Sequence, residues 1–197
     1  MERFSAITLA AWLIAGCASL TPSGLLTAAA FNPLRIETAT LRAAVVVPHD
    51  VGLTTGDLVL TLSFTPSDGT APIAETFVLR VSSDTAPKAF NVRANEAVFV
   101  ARLTPTDAAR FQATQSRILK RREQVTGKGS FSVTVRGACS RTGRMPAKLP
   151  LRTFMSSNAQ PFVELTRHAD VLADLGKASA GNLKSKFRTC PVGLVDR

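Results

Sequence analysis

Residues 58–64 (LVLTLSF) alternate apolar and polar positions, placing Leu58, Leu60, Leu62 and Phe64 on one face. Side chains on a strand point alternately to opposite faces, so this period of two predicts a half-buried strand. The turn cluster Pro66-Ser67-Asp68-Gly69 closes it. Before it, 41–47 (LRAAVVV) is rich in β-branched residues and is stopped by Pro48. After it, 76–81 (TFVLRV) puts Phe77, Leu79 and Val81 on one side, and 97–103 (AVFVARL) supplies a fourth strand. Short strands bounded by Gly, Pro, Asp and Ser clusters predict antiparallel pairing.

The period then changes. Thr104-Pro105-Thr106-Asp107 offers capping side chains and an early acid, followed by helix formers through Gln124. Ala108, Phe111, Gln115, Ile118 and Val125 fall near one face, and Arg110, Thr114, Arg117 and Arg121 run along another. Gly127-Lys128-Gly129 is expected to end this helix, and 130–135 returns to strand alternation leading into Cys139. Residues 141–149 read as a basic Gly/Pro loop, and 151–156 with 162–166 as a hairpin. Val171 to Leu175 is expected to form a short helix or edge segment, and 176–188 a polar, basic loop. The predicted class is α+β, mainly antiparallel β and β-sandwich-like, with one long amphipathic helix at about 105–124.

The first twenty residues carry a different signal. An apolar run from Ala6 to Ala15 follows Arg3 and closes on Ile14-Ala15-Gly16-Cys17. It is too short to span the hydrocarbon core, and it ends in small residues, as a secretory signal does. Here the chain resembles bacterial lipoproteins: their lipobox has a branched aliphatic residue, two small residues and Cys, and all four positions match. The resemblance implies cleavage between Gly16 and Cys17, with lipid attached at the Cys17 thiol and at the new amino terminus. Several acyl chains, at about 0.8 kcal/mol per buried CH₂, anchor a protein to the lipid bilayer for good. The expected organisation is a signal peptide (1–16), a lipidated Cys with a short uncharged tether (17–32) and one β-rich periplasmic domain (33–197). Ala18 is not the Asp that usually retains lipoproteins in the inner membrane. The expected location is the periplasmic face of the outer membrane, with the inner membrane or cell surface as alternatives.

With Cys17 assigned to lipid, Cys139 and Cys190 remain as an even pair in an oxidising compartment. A disulfide between them would close a loop of about 50 residues and contribute roughly 4 kcal/mol in the chain-entropy model. A redox pair or thiolate metal ligation are the alternatives, although neither Cys has a CxxC neighbour.

Charge sharpens the picture. The chain carries a net +10, with 24 basic and 14 acidic residues. Residues 104–150 hold ten basic and two acidic groups, whereas 17–103 is close to neutral. The excess is therefore local, centred on Arg110, Arg117, Lys120, Arg121, Arg122 and Lys128 and joined by Arg141, Arg144 and Lys148. In the envelope such a patch suits phospholipid headgroups or an anionic envelope polymer, or serves only as a solvated helix face. Nucleic acid is not an expected partner at this address.

Catalytic signals are thin. His49 lies in a Pro48-His49-Asp50 turn, and His168 precedes Asp170 by two residues. The sequence contains no GxSxG elbow, SxxK, HExxH, P-loop or GxGxxG pattern. Glu37, Glu75, Glu96 and Glu164 are scattered, and there is no Tyr to help stack a glycan. The expected function is non-enzymatic and cofactor-free: a structural or interaction role in a cell-envelope assembly, with an envelope protein as partner. The alternative is a binding protein for a lipid or other anionic envelope molecule, using a β-cavity and the basic helix face. A cell-wall-directed hydrolase comes third.

Overall fold

The computed structural model describes residues 32–82, 90–157, 160–174 and 187–191. The expected signal segment 1–16, the lipobox-like match with Gly16 and Cys17, and the expected tether as far as residue 31 lie outside the described residues. So do Leu175 and most of the 176–188 stretch.

The described strands are β1 (Arg42–Pro48), β2 (Val51–Gly52), β3 (Leu58–Pro66), β4 (Ile73–Val78), β5 (Arg80–Ser82) and β6 (Glu96–Arg102). They continue with β7 (Gly127–Val135), β8 (Ala138–Ser140), β9 (Leu151–Ser156), β10 (Val163–His168) and β11 (Phe187–Thr189). Helix α1 (Pro105–Arg122) follows β6, and a short α2 (Val171–Asp174) follows β10. A five-stranded sheet runs β10-β9-β1-β6-β5, and two three-stranded sheets run β4-β3-β7 and β11-β8-β2. Neighbouring strands are antiparallel except β11, which lies parallel to β8. The fold is α+β and β-rich, as the hydrophobic pattern predicts. No described helix is long and apolar enough to cross a membrane.

Leu58, Leu60, Leu62 and Phe64 of β3 are all buried, matching the period-two reading. They share one core with Ala43, Val45 and Val47 of β1, with Phe77 of β4, and with Phe111 and Ile118 of α1. Strand β1 buries its other face too: Ala44 and Val46 meet Val100, Phe154 and Phe90 in a second, smaller cluster. Covering on both faces explains why its sequence is a continuous apolar run.

Four details differ from the sequence expectation. The third strand is interrupted at Leu79, whose N–H donates to the Leu58 carbonyl at 2.9 Å. There the chain leaves the β3 sheet as β4 and joins the β6 sheet as β5, a corner of the kind that links packed sheets. Helix α1 stops at Arg122, and Gly127-Lys128-Gly129 belongs to β7, paired with Pro66, Thr65 and Phe64. Thr114, expected on the basic face, is buried, and its hydroxyl donates to the Arg110 carbonyl at 2.9 Å, which spares it an unpaired donor. The stretch before Cys190, expected as loop, contains β11, which pairing with β8 makes a strand.

Candidate functional site

A cavity of about 500 Å³ opens between the β3 sheet, the β9–β10 edge of the five-stranded sheet and helix α1. Leu62 and Phe64 form its floor, Phe131 and Val133 one wall, and Ile118 its helical side. Two local features create the space. Phe64 is paired with Gly129, so the position beside it on that face carries no side chain. A Cβ built at Gly129 would meet only the Ser63 carbonyl, at 3.9 Å. Gly127, in contrast, lies under the Phe64 ring, where a Cβ would come within 2.6 Å of the ring and closer still to the Thr65 carbonyl. On the opposite wall the β9–β10 register slips between Glu164 and Thr166, leaving Leu165 as the extra residue of a bulge that lines the cavity.

The entry segment is pinned beside the cavity. The buried Gln115 amide donates to the Pro33 carbonyl at 2.8 Å and to the Ile36 carbonyl at 3.1 Å. The sequence places Gln115 on the apolar helix face without indicating this tie. Asn32, Pro33 and Leu34 thereby become part of the wall. In the cavity lining, the Thr153 and Thr166 hydroxyls hydrogen-bond each other at 2.6 Å.

The six basic residues of the expected patch divide into two sets. Arg110 pairs with Asp107 at 2.6 Å and with Glu75 at 3.3 Å, and also lies over the Phe77 ring. Arg117 reaches Glu75 at 3.3 Å, and Arg121 reaches Asp68 at 2.7 Å. The Thr70 hydroxyl and N–H, with Arg121, hold the Asp68 carboxyl below the usual carboxylate range. Lys120, Arg122 and Lys128 are exposed and have no acidic partner among the described residues. Of these three, Arg122 lines the cavity.

Cys139 and Cys190 are joined by a disulfide, with Cα atoms 4.8 Å apart. Beside it, Asp57 is buried and accepts from the Thr54 N–H at 2.7 Å, the Thr54 hydroxyl at 2.9 Å and the Arg188 guanidinium at 3.1 Å. Sequence reading did not single out this pair, because 131 residues separate Asp57 from Arg188.

The two histidines lie apart from the cavity lining. His49 sits in the turn after β1, with its N–H on the Asn95 carbonyl at 2.8 Å. His168 ends β10, and the nearby Asp170 carboxylate accepts from the Leu149 and Leu172 N–H groups. Those bonds, the one from Leu149 foremost, lower the Asp170 pKa. No group of three His, Cys, Asp or Glu side chains is gathered for a metal among the described residues.

Comparison with protein-family models, with curated proteins and with solved structures returns no match. The cavity and Arg122, which lines it without an acidic partner among the described residues, therefore carry the functional reading.

Proposed function

We propose that this protein is a lipid-anchored envelope lipoprotein whose β-rich domain binds a lipid or a related anionic envelope molecule between its sheets. The observation that carries this reading is the roughly 500 Å³ apolar cavity bounded by β3, β7, β10 and α1. Ligand sites are typically concave, largely apolar and about 300–1,000 Å³ in volume, with a few placed polar groups. An assembly role, the first expectation from sequence, calls for a broad apolar docking face. The described residues expose three large apolar side chains, Val78, Val92 and Leu119, which gives that role less support. The anchor rests on the match of Ile14-Ala15-Gly16-Cys17 to a lipobox, and Ala18 favours the outer membrane.

Mass spectrometry of the gently purified protein tests the binding reading. A stoichiometric amphiphile, retained after washing and released on denaturation, supports it. Protein that carries no amphiphile, yet crosslinks to one envelope protein in intact cells, returns the assembly reading to first place. The anchor is tested separately: the Cys17→Ser chain is expected to lose acylation and membrane retention.

A further inference from the structure

Resting on the reading of the cavity as a lipid site, we infer that its ligand is a single-chain amphiphile with an anionic head group. The acyl chain lies between β7 and β10, and the head group meets Arg122.

Topology sets the way in. Strand β7 ends one sheet and β10 ends another, and both line the cavity. Elsewhere the two sheets are joined by the continuous chain through β4, Leu79 and β5. The cavity thus lies at a seam where two sheet edges face each other without pairing among the described residues. An extended chain fits such a slot along the strands.

Chemistry sets what fits inside. Leu62, Phe64, Phe131, Val133, Leu165 and Ile118 offer apolar surface. Thr153 and Thr166 are engaged with each other by a hydrogen bond, and Ser63, Ser130 and Ser132 are the other hydroxyl-bearing residues of the lining. Apolar surface still dominates the lining, so a ligand rich in donors and acceptors would lose more water contacts on entry than these few hydroxyls replace, at a cost in free energy. A methylene chain meets no such penalty. The volume is that of a drug-sized ligand, which one membrane-length acyl chain matches and the two chains of a diacyl lipid exceed.

Charge sets the head. Arg110, Arg117 and Arg121 are held by Glu75, Asp107 and Asp68, whereas Arg122 stands at the lining without an acidic partner among the described residues. The C-terminal end of α1, which Arg122 occupies, carries partial negative charge, and Glu123 follows it. An anion is therefore drawn there by the guanidinium and not by the helix end. A fatty-acid carboxylate and a lysophospholipid phosphate share this chemistry.

The test uses the full lipidated chain in phosphatidylcholine nanodiscs, titrated with a fluorescent long-chain carboxylate and with its alcohol analogue. Wild type is expected to prefer the carboxylate by roughly fivefold, the scale of one rim-exposed charge pair. Arg122→Ala is expected to abolish that preference by weakening carboxylate binding more than alcohol binding, and Arg117→Ala to leave both affinities unchanged. Gly129→Leu, which fills open space beside Phe64, is expected to abolish both affinities; Leu165→Trp, placed on the opposite wall, guards against a folding defect in the first variant. If the carboxylate preference survives Arg122→Ala, the head-group inference falls while the cavity reading stands. If neither probe binds wild type, or if binding ignores the filling variants that melt normally, the cavity reading itself falls. Displacement of the carboxylate probe by a free fatty acid assigns the ligand to that source, and displacement by a lysophospholipid assigns it to the other. Displacement by neither overturns the inference.

Discussion

At the scale of single residues, two glycines in β7 do opposite work. Gly129 leaves space where a side chain has room, whereas Gly127 is where the Phe64 ring and the Thr65 carbonyl already fill the place of a Cβ. Gly127→Ala must therefore move a cavity wall and a strand backbone together. A loss of about 1–3 kcal/mol is expected for such overpacking, read as a lower urea midpoint, with weaker binding of an acyl probe. Alanine at Gly129 meets only ordinary contact distance and should leave the midpoint nearly unchanged. The sequence marked both glycines as a helix terminator, since nothing local reveals that β3 will lie against them. Gln115 makes the same point: its place on the helix face was legible, but its bonds to Pro33 and Ile36 were not.

At the scale of elements, β11 has three residues and would not persist alone. It is held by the Cys139–Cys190 disulfide, by parallel pairing with β8 and by Arg188 on the buried Asp57. The bond closes a 51-residue separation, so replacing both cysteines with alanine is expected to cost about 2–5 kcal/mol. Hydrogen exchange should then show β11 losing protection before β3. The second hinge of element packing is Asp170, which ties the end of the basic loop to the start of α2 through the Leu149 and Leu172 N–H groups. Because its folded pKa is lowered, its contribution is present above the ordinary carboxylate pKa and is lost as pH falls through the lowered value. Asp170→Asn is thus expected to flatten the fall in melting temperature on acidification below about pH 4, the usual carboxylate range. A fall as steep as that of wild type would remove Asp170 from the acid response.

At the scale of the whole molecule, the net charge of +10 overstates the field that a partner meets. Among the described residues, three of the six patch cations face carboxylates, leaving Lys120, Arg122 and Lys128. Reversing Arg122 and Lys128 to Glu in the Cys17→Ser chain should weaken sedimentation with anionic vesicles, by about 1 kcal/mol for each charge removed. Reversing Arg110 and Arg117, which share Glu75, should weaken it less, and both effects should shrink as salt rises. The sequence by itself determined the alternation of β3, the cap and extent of α1 to within two residues, the pairing-competent cysteines and the span that carries the charge. These follow from periodicity, composition and local backbone chemistry, which act over a few neighbouring positions. Tertiary structure alone decided where the strand through Leu79 changes sheets, which arginines are neutralised and where two sheet edges part around a cavity. Each depends on residues tens of positions apart meeting in space, and hydrophobic period carries no record of which distant partner fills or leaves empty the volume opposite.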